Sequence, residues 1–382
     1  MTRITEDWIT AESSRSVMAA LDGRGFFVGG CVRNALLGTP VADIDVATPL
    51  VPEDVIARLE GAGLKAIPTG LKHGTVTAVA HGETIEVTTF RTDIETDGRR
   101  AIVRYTTDIS LDAGRRDFTM NALYADPAGN VIDPLGGLSD LRDRRVRFVG
   151  RPQDRIKEDY LRILRFFRFH AWYGGDGIDP DGLAACAELA DGISGLAGER
   201  IGWEFRKLLA APDPAPAVAS MAASGVLLRC LPGADAARLA PMVDAETRSA
   251  QAPDWISRLA VLGGDQSASR LKLSRAERTA LNRVTLALDE TRSDLAAYRH
   301  GRDAACRAAL IRAAATGGDP RDNWTDIERG AAAKMPLTAK DLIAEGHVPG
   351  PSLGATLNAL EQRWIDSGFS LDKKTLLAHS RR

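Results

Sequence analysis

Between Phe26 and about Val149 the apolar positions keep changing period. FFVGG, DIDVAT, TVTAVA and TIEVTTF are short β-branched runs, and between them CVRNALLG and PEDVIARLEGAG repeat their apolar residues at helical spacing. The pattern predicts a mixed α/β domain. From about Asp154 the strand signals stop, and Ala, Leu and Arg recur at helical spacing with breaks at WYGGDGIDPDG, AAPDPAPA, LPGAD and GHVPGP. That half reads as several helical modules, with the best boundary at AAPDPAPA near residue 210. The segment RTDIETDGRRAIVRYTTDISLDAG, residues 91–114, is polar and poorly periodic and interrupts the α/β domain between two apolar motifs. It is expected to be a mobile functional loop.

A chain of 382 residues exceeds what one hydrophobic core usually serves, which agrees with two or more packed units. Lys plus Arg number 49 against 51 Asp plus Glu, so bulk charge does not draw the chain to nucleic acid and any such surface must be local. One local excess stands out: residues 142–168 hold ten basic residues against four acids. It would suit a triphosphate pocket and an RNA backbone, or an ordinary solvated helix. Cys31, Cys186, Cys230 and Cys306 form no CxxC pair, against a zinc knuckle or a disulfide framework and in keeping with a reducing compartment. MTRITEDWITAESS carries early acids and no apolar core of a signal peptide, and no run reaches the length of a membrane span. A cytoplasmic protein without membrane contact is expected.

Against this background VGGCVRNALLGTPVADIDVAT is the first stretch with candidate chemistry. In an extended strand Asp43 and Asp45 share a face while Ile44 and Val46 point into the core. Two carboxylates so close repel unless a cation lies between them, and hard oxygen ligands suit Mg²⁺; the bland alternative is a solvated strand edge. Gly29 and Gly30 follow a strand and open a helix, where bare amides can approach a phosphate, with Arg33 one turn in. Glu86 in TIEVTTF is either a third carboxylate of that cluster or an exposed strand position.

Two further stretches pair acids with arginines. In RRDFTMNAL, Arg115 and Arg116 can fork onto phosphate and Asp117 can accept from ribose hydroxyls, or the three can form a charged turn. In EDYLRILRFFRFH, read as one helix, Asp159, Arg162 and Arg165 lie three apart on one polar stripe. Such a stripe either reads the edge of an incoming base or forms intrahelical ion pairs.

GGCVRNALLG, DIDVAT, GLKHGTV, EVTTFR, RRDFTMNAL, DPLGGLSDLRDRRVR and EDYLRILR, in this order, resemble the class II tRNA nucleotidyltransferase and poly(A) polymerase family over residues 26 to about 210. The resemblance implies a polymerase-β-like nucleotidyltransferase head over 1–147, a nucleotide-selecting helical neck over 148–210, a helical body over 211–335 and a tRNA-binding helical tail over 336–382. It implies transfer of a nucleoside monophosphate from CTP or ATP to an RNA 3′-hydroxyl. Carried over residue by residue, Asp43 and Asp45 would bind two Mg²⁺ ions, while Gly29, Gly30 and Arg33 would hold the triphosphate. Arg116 and Asp117 would select the ribose. Asp159 and Arg162, with Arg165 beside them, would serve as a protein template for the base. One departure is Asn34, where the family usually has Asp, a change that keeps hydrogen-bonding shape and loses a charge. His73 matches a family position and is expected to make a structural hydrogen bond. The GPSLG turn resembles the family's tail loosely, and its amides at Ser352 to Gly354 could meet an RNA phosphate or merely cap a helix.

Within the family the DGRR stretch, Asp97 to Arg100, favours a CCA-adding or an A-adding enzyme over a CC-adding one. A poly(A) polymerase is expected to carry long basic extensions, and a non-catalytic RNA-binding protein would not need Asp43, Asp45, Arg116, Asp117, Asp159 and Arg162 together. His170, His300, His347 and His379 form no HxxHD-like cluster, so no accessory phosphohydrolase is expected. The partners implied are the tRNA acceptor end, CTP and ATP, with no obligate protein partner.

Overall fold

Alternate residues of TVTAVA are buried, and so are Ile85, Val87 and Thr89 of TIEVTT, as a half-buried strand requires. In the computed structural model, which describes residues 2–97 and 100–380, with residues 93–97 and 100–102 as backbone alone, the chain forms nine strands among the described residues. They are β1 (Phe26–Val28), β2 (Asp45–Thr48), β3 (Lys65–Gly70), β4 (Thr75–Ala80), β5 (Glu83–Thr89), β6 (Arg91–Asp97), β7 (Arg100–Tyr105), β8 (Tyr124–Ala125) and β9 (Val131–Ile132). Seven make one mixed sheet in the order β3-β4-β5-β2-β1-β8-β9. β2 and β5 run parallel, and the other neighbours are antiparallel. Phe90 and Tyr124 pack with Val28 and Ala47 in a core on this sheet.

The polar segment expected as an irregular loop is instead strand-paired. β6 and β7 form a two-stranded antiparallel sheet with Arg91 opposite Tyr105 and a bulge between Asp93 and Glu95, followed by the helix Ile109–Gly114. A ribbon closes its backbone bonds within itself and needs no buried face, so its sequence carries no period to read. Of the DGRR stretch, Gly98 and Arg99 lie outside the described residues.

The rest of the chain is helical, as its spacing predicts. At AAPDPAPA the helix Gly198–Leu209 gives way to Ala215–Ala223, which packs on the helix Leu161–Tyr173. The chain divides into two compact units, one ending at Ala234 and the other starting at Asp235, inside LPGAD. The second unit has its own alanine-rich core around Ala296, Ala308 and Ile327 and a further cluster around Leu342, Leu360 and Trp364. Among the described residues no helix is long and apolar enough to cross a membrane.

Candidate active site

β1 ends at Val28, and the chain enters the helix Gly30–Leu36 through Gly29, at φ 73° and ψ −118°. L side chains rarely adopt that conformation. The Gly29 N–H donates to Leu123 O at 3.0 Å. A Cβ on Gly29 would stand 3.4 Å from Arg116 Nη1, so the missing side chain lets that guanidinium lie against the turn.

The two acids are placed differently from the expected strand pair. β2 begins at Asp45, so Asp43 sits in the extended approach to the strand, exposed, with Ile44 half-buried rather than in the core. The reason is register: pairing with β5 starts at Asp45 opposite Glu86, and ahead of it Ile44 contributes only its carbonyl, which accepts from Glu86 N at 3.4 Å. Burial, with the charges of Glu86 and Asp43, raises the Asp45 carboxyl above the ordinary range, and Arg116 opposes the rise. Neither Asp43 nor Asp45 has a side-chain hydrogen bond or ion pair among the described residues. A half-buried carboxylate left without a donor, with two more carboxylates influencing it, fits a hard divalent cation. Among the described residues no three His, Cys, Asp or Glu side chains gather as a ready ligand set, so Glu86 neighbours the pair without completing one.

Arg33, expected as an available cation, is buried. Its Nη1 donates to Asn121 Oδ1, its Nη2 to Tyr173 Oη at 2.9 Å, and its Nε and Nη2 to Asn34 Oδ1 at 3.1 and 2.9 Å. The guanidinium stacks 4.0 Å from the Tyr173 ring centre, and burial lowers its proton affinity. Asn34 also donates through Nδ2 to Pro40 O at 3.0 Å, a bond that an Asp could not make. His73 supplies a structural contact through its carbonyl, which accepts from Arg91 Nη1.

Asp117 accepts from Asn121 Nδ2 and Phe118 N, each at 2.9 Å, and from Arg165 Nε at 2.8 Å. Although burial opposes it, Arg165 and these donors hold the Asp117 carboxyl well below the usual range. Asn121 therefore links Arg33 to Asp117, and Arg165 carries the same network onto the helix Leu161–Tyr173.

The EDYLRILR stretch is not one helix. It breaks at Asp159, whose φ of −156° and ψ of 107° are extended, between the helices Pro152–Glu158 and Leu161–Tyr173. Asp159 thus leaves the expected stripe, and its carboxylate accepts from Arg200 Nη2 at 2.7 Å. Arg162 donates through Nη1 to Glu158 Oε2 at 2.5 Å and to Arg155 O at 2.8 Å. The three residues are neighbours at the break, each already engaged with a partner.

Most of the basic residues in the run 142–168 are taken up in ion pairs within the protein. Arg145 and Arg147 pair with Asp140, Arg155 and Arg162 with Glu158, Arg165 with Asp117, and Arg168 with Glu204. Tyr173, Arg200 and Glu204 were not found by motif reading, because each meets its partner from a distant stretch of chain, and Asn121, although it lies inside RRDFTMNAL, was missed because its bond to Arg33 spans 88 positions. In the tail, the amides of Leu353 and Gly354 turn back onto Gly350 O at 3.1 and 3.5 Å, which favours the capping reading of the GPSLG turn.

Comparison with known proteins points to a family. Residues 25–147 match the model of the poly A polymerase head domain, and residues 177–238 match a probable RNA and SrmB-binding site of polymerase A. The mitochondrial CCA tRNA nucleotidyltransferase 1 of Danio rerio is 32% identical over 92% of this chain and 85% of its own. The CCA-adding enzyme of Geobacillus stearothermophilus is 32% identical over 92% of this chain and 91% of its own. The crystal structure of the Bacillus stearothermophilus CCA-adding enzyme in complex with CTP superposes with a TM-score of 0.77 at 30% identity, covering 97% of this chain and 96% of that one. Identity at this level over nearly the whole length, on top of the ordered motifs and the mixed-sheet head, makes the chain a member of the class II tRNA nucleotidyltransferase and poly(A) polymerase family.

Proposed function

We propose that this protein completes tRNA 3′ ends, adding C, C and A in turn from CTP and ATP without a nucleic-acid template. The observation that supports it most is the unpartnered pair Asp43 and Asp45, with Asp45 in the field of Arg116 at the Gly29 turn, in a chain similar over nearly its whole length to CCA-adding enzymes. The family generally uses divalent metals. In this reading Asp43 and Asp45 hold two Mg²⁺ ions, which supply charge neutralisation and an activated hydroxyl when bound. Glu86, opposite Asp45 on β5, adds negative charge.

The chain's own residues then position the substrates. The Gly30 amide, presented by the Gly29 turn, and the Arg116 guanidinium receive the triphosphate, and Arg33, buried against Tyr173, adds its charge. Asp117, kept ionised by Arg165, accepts from the ribose. Asp159, Arg162 and Arg165 face the base, where a wrong nucleotide leaves buried donors or acceptors unpaired. We assign head 1–147, neck 148–210, body 211–335 and tail 336–382 as functional parts, with the first helix of the body, Ala215–Ala223, packed into the first compact unit, and place the reaction in the cytoplasm, where tRNA, CTP and ATP meet.

The test is incubation of the protein and Mg²⁺ with tRNAs ending at the discriminator base, at C and at CC, with CTP and ATP supplied separately and together and products sized to single nucleotides. Addition that stops after CCA is the expected result. A-only addition to the CC end would assign an A-adding enzyme, a long A ladder on unrelated RNA a poly(A) polymerase, and binding without extension a non-catalytic RNA-binding protein.

A further inference from the structure

Arg116 keeps its Nη1 without a hydrogen bond among the described residues, turned to the Gly29 turn and close enough to Asp45 to act on its charge. The rest of its guanidinium is fixed from behind. Nη2 donates to Asp112 Oδ2 at 3.1 Å, Nε donates to Tyr124 Oη at 3.1 Å, and the Tyr124 ring lies beneath, 5.2 Å from Cζ. The Tyr124 hydroxyl in turn donates to the same Asp112 oxygen at 2.7 Å, so carboxylate, phenol and guanidinium close a triangle. The other Asp112 oxygen accepts from Arg115 Nε at 2.8 Å and from the Arg91 N–H, at the foot of β6, at 3.3 Å.

Asp112 and Tyr124 are both fully buried. A carboxylate removed from water is costly unless donors surround it, and a helix as short as Ile109–Gly114 could be anchored more cheaply by an apolar side chain. What an apolar side chain cannot do is orient a guanidinium. Two acceptors along the Nε–Nη2 edge of the Arg116 guanidinium, with a ring under its plane, remove its rotational freedom and leave Nη1 turned to the Gly29 turn.

We propose that Asp112 and Tyr124 are positioning residues for nucleotide addition, holding Arg116 so that its free edge meets the triphosphate of CTP or ATP at the Gly29 turn. This rests on the proposed function, since the triphosphate site is part of it. Tyr124→Phe keeps the buried ring and removes only the hydroxyl, so it isolates the clamp from the core. Calorimetric titration of the full chain with CTP in Mg²⁺ is expected to show about tenfold weaker binding for Tyr124→Phe and a larger loss for Asp112→Asn, as for hydrogen bonds to charged groups. In an Arg116→Ala background Tyr124→Phe should add almost nothing, because its effect runs through that guanidinium. A melting temperature for Tyr124→Phe near the parent's would separate the effect from unfolding.

The clamp is overturned if Tyr124→Phe binds CTP as the parent does, or if its loss adds in full to that of Arg116→Ala. Should Asp112→Asn fail to fold, the Tyr124→Phe cycle still decides. A parent protein that binds no CTP at all would overturn the triphosphate site itself, and the clamp with it.

Discussion

Asp45 is held in a state that the fold alone disfavours. Burial, Glu86 and Asp43 raise its carboxyl, so above the ordinary carboxylate range its ionised form costs the folded chain stability. Asp45→Asn removes that charge. Without metal at pH 7 the variant should melt at or above the parent, and the difference should shrink as pH falls through the raised Asp45 pKa toward the ordinary value, since the parent is then protonated. Nucleotide addition should fall by several orders of magnitude, as when a metal clamp is removed. Melts at pH 7 and pH 4 in chelator, with an addition assay, check both halves; a variant less stable at pH 7 would mean Asp45 is held by donors after all. Base choice belongs to the same scale. Arg162→Ala should raise UTP and GTP incorporation more than it weakens tRNA binding, and Arg200→Ala should do the same, because Asp159 then loses the guanidinium 2.7 Å away. Competition assays with mixed nucleotides read this directly, and unchanged selectivity would remove Asp159 and Arg162 from base reading. The residue types at this site are visible in the sequence because GG, DxD, RRD and EDxxRxxR carry their chemistry locally. Their engagement is not: Arg33 finds Asn121 and Tyr173 from 88 and 140 positions away, and no local pattern announces such bonds.

At the scale of elements, the break at Asp159 shows where periodicity misleads. The apolar spacing of EDYLRILRFFRFH runs through the break without a glycine or proline, so a continuous helix is the natural expectation. The break has tertiary companions: Asp159 reaches Arg200, and Tyr160 lies over Gly192, where a Cβ would stand 2.0 Å from its ring. Gly192→Ala must therefore move the Tyr160 side chain or its own turn. We expect a loss of about 1–3 kcal/mol in stability, typical of overpacking, together with altered nucleotide choice, because Tyr160 adjoins Asp159. Denaturant melts and the same competition assay check it. A stable variant with parental selectivity would mean that the ring shifts freely and does not set the break. The β6–β7 ribbon makes the converse point, since regular pairing is present there without a hydrophobic period to reveal it.

For the whole molecule, length implies more than one unit, but a proline-rich break marks only a turn in the chain. At AAPDPAPA the next helix, Ala215–Ala223, still joins the first core, and the division comes at LPGAD. Every residue proposed to touch the nucleotide lies before Ala234, whereas the second unit carries cores of its own. Ligand that binds only the folded first unit stabilises that unit by mass action, by about 2.7 kcal/mol at a hundredfold excess over Kd. For a unit of this size that is a rise of about 5–10 °C in its melting point. Calorimetry should resolve two transitions, with CTP and Mg²⁺ raising one and leaving the other in place, and Asp45→Asn should abolish the Mg²⁺-dependent part of the shift. A single transition moving as a whole would mean that the two units unfold as one cooperative block. Two transitions that both rise with CTP would mean that the nucleotide also touches residues beyond Asp235, so that the site assigned to the head and neck would be incomplete.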